Sequence, residues 1–194
     1  MRQVPYPVAI ITATDPTGAQ DTTSFRGMTV SSFNTVTLTP NPVISFNVRR
    51  PSETLNALLA SGRFLVHLLA PEPATATLAR DFSKGNATLA AMMNGHGQFE
   101  FKPSDVCHES GSDRPLPILR RRPQGSGISN EGKVDFPFVF ECTLHPSKID
   151  VQDHSIILGT VVRVIQCSHD VQGMKDSPHQ LCLTYANTKF NTTE

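Results

Sequence analysis

The sequence predicts a mainly β protein: an antiparallel β-barrel, closed or split, with a few peripheral helices. Short β-branched runs recur with turn chemistry between them, and the links among the first three are too short for the crossover a parallel pair requires. Helical patterning is confined to one stretch after the third strand, so the sheet must bury its apolar face largely by curling on itself. With 194 residues the chain is expected to form one domain over residues 1–194, large enough for a core of its own.

Val8 to Thr14 (VAIITAT) ends in Asp15-Pro16-Thr17-Gly18, turn chemistry that marks a first strand. Gly27 to Leu38 (GMTVSSFNTVTL) is rich in Thr, Val and Ser without a helical period and reads as a second strand. Pro40-Asn41-Pro42 breaks the chain before the third, Val43 to Val48 (VISFNV). The first helix opens with Ser52 as N-cap, carries Glu53 at its positive start, puts Leu55, Leu58 and Leu59 on one face and stops at Gly62. Arg63 to Ala70 (RFLVHLLA) returns as a strand, and Pro73 to Phe82 is an alanine-rich helix continued after a break by Ala87 to Met93. From Asn94 to Asp135 glycine, proline, serine and charge dominate, and periodicity survives only at Phe99-Glu100-Phe101. This stretch is expected to be a long loop excursion, either a lid or poorly ordered. Phe138 to Leu144, Ser155 to Cys167 with Gly159 as a bulge, and Leu181 to Tyr185 complete the strands.

Lys plus Arg and Asp plus Glu both number 17, so no net field gathers nucleic acid or an anionic membrane. With 38% hydrophobic and 18% charged residues, the chain is too apolar to be disordered and too interrupted to span a membrane. The four cysteines form no CxxC pair and sit at no zinc-finger spacing, which predicts free thiols in a reducing compartment and no metal site. The start, Met1-Arg2-Gln3-Val4-Pro5, has no signal-peptide pattern, so a cytoplasmic location is expected. The absence of a helix-opening GxGxxG, a P-loop and HExxH leaves a Rossmann site, a nucleoside triphosphatase and a zinc protease without support.

Gly27-Met28-Thr29-Val30-Ser31-Ser32-Phe33, followed by a proline-bearing turn, an apolar strand and Ser52-Glu53-Thr54, resembles the flavin reductase-like family, an FMN-binding split β-barrel. Ser61-Gly62-Arg63-Phe64 through Leu69 is similar to the family's next strand, with His67 where asparagine is usual. Ala79-Arg80-Asp81-Phe82-Ser83, Asp153-His154-Ser155-Ile156 through Val161, and Leu183 to Tyr185 with Phe190 extend the likeness in order over nearly the whole chain. The excursion at 94–135 has no clear counterpart. The resemblance implies an NAD(P)H-dependent flavin reductase that passes a hydride to N5 of FMN, paired as a homodimer, with a flavin-dependent monooxygenase as a candidate electron acceptor. Two alternatives stay open: an oxidoreductase that retains FMN and acts on an organic substrate, and a non-enzymatic flavin-binding module.

A flavin ring needs a flat apolar slot and donors for its pyrimidine edge, which a Thr/Ser-rich strand at a barrel rim supplies through hydroxyls and outward backbone N–H groups; Thr29, Ser31 and Ser32 are the candidates. Alone, that strand would read as an ordinary polar edge. The phosphate needs amides and cations, and the helix start after Arg49 and Arg50 offers both, with Ser52 and Thr54 as contacts; alone, Ser52 is an ordinary N-cap. Val30, Asn47, Phe82 and Ser83 are implied by the resemblance as further cofactor contacts. His154 falls where the family places a histidine near flavin and nicotinamide, and it is the expected catalytic residue. His67 reads as a core or dimer-face histidine. Arg120-Arg121-Arg122 could meet the extra phosphate of NADPH, although a loop arginine run is usually a solvated patch.

Overall fold

The computed structural model of the chain describes residues 3–105, 114–123, 134–167 and 182–192. Its strands are β1 (Tyr6–Pro7), β2 (Ala9–Thr14), β3 (Phe25–Val30), β4 (Asn34–Thr37), β5 (Val43–Arg49) and β6 (Arg63–Leu68), then β7 (Phe99–Pro103), β8 (Pro117–Arg121), β9 (Phe138–Val151), β10 (His154–Cys167), β11 (Thr184–Ala186) and β12 (Lys189–Asn191). The helices are α1 (Glu53–Ser61), α2 (Pro73–Phe82) and α3 (Asn86–Met93). Seven strands form one antiparallel sheet in the order β3-β2-β6-β9-β10-β5-β4.

The single strand expected over Gly27–Leu38 is two. β3 pairs with β2, as in Ala9 opposite Val30, whereas β4 pairs with β5, as in Asn34 opposite Ser45, so the two pieces lie at opposite edges of the sheet. The physical reason lies in Ser31–Phe33: instead of continuing the ladder, the Ser32 hydroxyl takes the Asn47 N–H at 2.8 Å and carries the chain across to β5. A hydroxyl thus bridges the two edges of a split barrel.

Two apolar cores flank β2, and all six of its residues are buried. Ala9, Ile11 and Ala13 face the barrel interior with Ile44, Phe46, Leu58, Phe64, Val66 and Ile157. Ile10, on the other face, packs with Leu78, Ala79, Phe82, Leu89, Phe99, Leu119 and Val139 under α2 and α3. Burial on both faces explains why this short strand carries no charge, its only polar residues being Thr12 and Thr14. Phe46 and Phe64 meet edge to face at 5.5 Å inside the barrel. The strand register shifts between Ile157 and Gly159, and a Cβ on Gly159 would lie 2.4 Å from Phe64 Cζ, so the bulge glycine makes room for the ring.

The excursion is not a simple loop. β7 and β8 form an antiparallel hairpin that lays its backbone on the outer face of β2 and β6. Thr12 and Thr14 hydroxyls donate to the carbonyls of Pro117 (2.7 Å) and Pro115 (2.6 Å). Fully buried His67 accepts the Leu119 N–H at Nε2 (3.1 Å), which puts the ring proton on Nδ1, where it meets the Ile10 carbonyl at 3.3 Å. Burial pushes the imidazole down to about 4, so it is neutral at physiological pH. His67 is therefore a satisfied core residue that fastens the hairpin to the barrel. The arginine run is spent on structure: Arg120 and Arg122 pair with Glu100, and Arg121 pairs with Asp135. Gly125-Ser126-Gly127 lies outside the described residues.

A strand not expected from sequence, β12, pairs with β11 through a two-residue turn in which Asn187 (φ 52) and Thr188 (φ 63) are both left-handed. With β1 they make a small separate sheet, held to the barrel where the Val8 N–H meets the Leu183 carbonyl and the Leu183 N–H meets the Leu69 carbonyl. Leu181, expected to begin the last strand, lies outside the described residues.

Candidate functional site

The split between β3 and β5 opens into a cleft of ≈ 390 Å³. Its walls are Gly27 to Val30 of β3, Asn47 to Arg49 of β5, Pro51 to Thr54 at the start of α1, and Phe82, Ser83 and Gly85 after α2. Three stretches far apart in sequence thus converge, 27–30, 47–54 and 82–85, because β3 and β5 face each other across the seam and β5 runs directly on into the start of α1. A second cleft of ≈ 620 Å³ adjoins it, sharing Thr29 and Ser83 and adding Ser31, Arg80 and the β11–β12 turn. Both volumes fall in the range of small-molecule sites.

Eight of the ten expected cofactor contacts line the first cleft: Thr29, Val30, Asn47, Arg49, Ser52, Thr54, Phe82 and Ser83. Ser31 lines the second cleft, and Ser32 lines neither, since its hydroxyl bridges the seam. β3 has a strand partner on one side only, which leaves outward backbone groups along the cleft. Thr29 donates its hydroxyl to the Ala79 carbonyl at 2.7 Å and keeps only acceptor capacity. Phe82 is 2% exposed and packs so closely over Gly27 that a Cβ there would lie 2.5 Å from its Cε1, so the ring forms the floor of the cleft.

At the other wall Ser52 caps α1, accepting the Leu55 N–H at 3.2 Å. Thr54 is buried, 4% exposed, and lines the cleft from within the first helical turn. Glu53 lies 3.6 Å from Arg26, which offsets its negative charge at the cleft wall. The two expected guanidiniums part company. Arg49 stands at the cleft, 78% exposed, whereas Arg50 turns to the β9–β10 turn, donating to the Gln152 and His154 carbonyls and pairing with Asp150 at 3.9 Å. Arg50 is thereby removed from the phosphate candidates.

His154 does not line the cleft. It lies across from Arg49 in the β5–β10 ladder and reaches the cleft through Asp153, whose carboxylate meets His154 Nδ1 at 2.7 Å and Arg49 Nε at 3.1 Å. The hydrogen bond to His154 holds the Asp153 carboxyl below its ordinary range. Sequence reasoning missed the carboxylate's bridging role and the two positive side chains of the second cleft, Arg80 and Lys189. Lys189 had no signal of its own, since only the turn brings it there. Among the described residues no cluster of His, Cys, Asp and Glu could hold a metal ion, and no helix is long and apolar enough to cross a membrane.

The arrangement suits an elongated ligand, with a ring over the β3 edge and Phe82 and an anion against Ser52, Thr54 and Arg49. Known proteins agree with the fold. NADH:FMN oxidoreductases of Rhodococcus qingshengii and Rhodococcus erythropolis are each 36% identical over 164 residues, covering 84% of this chain; the chain spans 66% of the length of these curated relatives. The solved structure of the flavin reductase HpaC complexed with NADP+ superposes with a TM-score of 0.62 at 25% identity, covering 100% of this chain and 93% of that one. Nitrilotriacetate monooxygenase component B from Mycobacterium thermoresistibile has the same fold, with a TM-score of 0.65 at 21% identity over 99% of this chain and 82% of its own. The family described as flavin reductase like domain matches residues 1–194, and the chain belongs to it.

Proposed function

We propose that this protein is an NAD(P)H-dependent flavin reductase that binds FMN in the cleft between β3 and β5. The observation that carries this reading is the convergence of eight cofactor candidates from three separate stretches of the chain on one cleft. Bound flavin supplies the redox chemistry, accepting a hydride from the nicotinamide. The chain's own residues bind and orient: β3 presents backbone donors to the ring edge, Phe82 and Val30 give an apolar floor, and Ser52, Thr54 and Arg49 receive the phosphate. Asp153 occupies His154 Nδ1, which leaves Nε2 as the nitrogen for the nicotinamide side, so His154 is the candidate catalytic residue.

The likeness to a monooxygenase component supports a flavin-dependent monooxygenase as acceptor. A homodimer is supported by exposed apolar side chains on strand faces, Val36 and Leu38 near the β4 edge and Val162 and Val164 on β10. Free Cys142 and Cys182 support a reducing cytoplasm. Anaerobic titration of the flavin-loaded protein with NADH and NADPH tests the central claim. Bleaching of the visible flavin band is the expected result; a band that persists with both donors overturns it.

A further inference from the structure

Gln152 and Asp153 form the two-residue turn between β9 and β10, and Gln152 is left-handed (φ 51), a region that glutamine rarely occupies and glycine takes freely. Such a conformation persists only where its surroundings hold it. Arg50 supplies the hold. Its backbone N–H donates to the Asp153 carbonyl at 2.7 Å, and its guanidinium donates to the Gln152 carbonyl and, at 3.4 Å, to the His154 carbonyl. Its other terminal nitrogen lies 3.9 Å from Asp150, a carboxylate that the buried Ser155 hydroxyl meets at 2.6 Å. One side chain and its own amide thus grip three consecutive residues. The grip has a cost: Arg50 Nε is buried without a hydrogen-bond partner among the described residues, a placement that a solvated arginine would avoid by turning to water.

The turn matters for what it carries. Asp153 meets His154 Nδ1 at 2.7 Å and Arg49 Nε at 3.1 Å, so a turn that relaxed to another conformation would draw the carboxylate away from both and leave the imidazole free to rotate. We propose that Arg50 is a positioning residue for flavin reduction, holding the turn with Gln152 left-handed so that Asp153 stays set against His154. The inference rests on the reading of His154 as the catalytic residue. It gives Arg50 a part that touches neither flavin nor nicotinamide.

The test follows flavin reduction by NADH in stopped flow on the full chain loaded with FMN, with FMN affinity measured by fluorescence. R50A should slow the hydride step roughly tenfold while FMN affinity stays within about twofold, because the fault lies in orientation. Glycine needs no help to stay left-handed, so Q152G alone should remain within about twofold of wild type, and R50A/Q152G should recover most of the lost rate. An arginine that only stabilises the fold, or that serves the phosphate by its charge, gives no such recovery. In an H154A background R50A should add nothing further, since it acts through that imidazole. Should R50A fail to fold, R50K keeps the stem and the charge but cannot bridge the turn and Asp150 at once, and the same comparisons apply to it. A wild-type rate in R50A, a double variant as slow as R50A, a further loss in the H154A background or a loss confined to FMN affinity each overturns the proposal and leaves the His154 reading standing. H154A that reduces flavin at the wild-type rate sinks that reading, and the proposal with it.

Discussion

The two sides of the sheet treat polar groups in opposite ways. On the outer face of β2 and β6 the β7–β8 hairpin is docked by satisfied groups: Thr12, Thr14 and His67 meet its backbone, and its three consecutive arginines are all paired, two sharing Glu100 and one on Asp135. At the seam, Arg49 pairs with Asp153 but stands largely in solvent, Arg80 and Lys189 face a cleft, and β3 leaves one side of its backbone without a strand partner. A satisfied polar group contributes to one folded state, whereas an unsatisfied one is available to a ligand. Charge alone separates the regions poorly, since the densest basic run lies on the structural side.

Substitutions that break this contrast should rank as follows. H67A leaves the Leu119 N–H buried without its partner, takes the imidazole N–H away from the Ile10 carbonyl and opens a cavity, which should cost about 4 kcal/mol in urea unfolding. If the regions are independent, FMN affinity of the folded variant moves by less than about twofold; a large loss would show that hairpin docking sets the cleft. Acid probes the same residue. The unfolded imidazole takes up a proton near 6.5 but the folded one only near 4, so the unfolded state binds more protons between these values and stability falls as pH drops through that window. The full loss from this group is about 3 kcal/mol, present by pH 4 and absent in H67A, when unfolding is measured across that range.

Gly27→Ala sits on the boundary between the regions. Its new Cβ would push Phe82, which also packs edge to face on Phe101 of β7 at 6.1 Å, so it should cost about 2 kcal/mol and weaken FMN roughly tenfold together. An affinity loss without a stability loss would show that Phe82 yields toward the cleft alone. Ser52→Ala is the smallest, about 1 kcal/mol from the lost N-cap with a roughly tenfold weaker FMN phosphate contact. Comparing FMN with riboflavin separates the two effects, because only the phosphate-bearing ligand should respond.

Much of the cleft was legible because its residues sit in short motifs whose chemistry is local: a Thr/Ser strand, an N-cap, a helix end. What stayed hidden depends on distant partners. His67 is fixed by residues 57 and 52 positions away, so its burial could be expected from the apolar strand but its docking role could not. The β7–β8 hairpin shows only a three-residue alternation at Phe99-Glu100-Phe101, and its docking rests on side chains of β2 and β6 that sequence periodicity does not link to it. The run from Gly27 to Leu38 is uniformly strand-like in composition, and only Ser32 reaching Asn47 shows where it changes partners. Arg49 and Arg50 are adjacent and chemically alike, and the β9–β10 turn alone decides that one faces the cleft and the other does not.

The hydroxyl that bridges the seam has a kinetic corollary. A ladder opens only when several neighbouring bonds fail together, but the Asn47 amide is held by a single side chain that can rotate away. Its proton should exchange with solvent faster than those of the paired residues on β2, making it a built-in gauge of barrel breathing. A ligand lying across the seam would slow that one clock first.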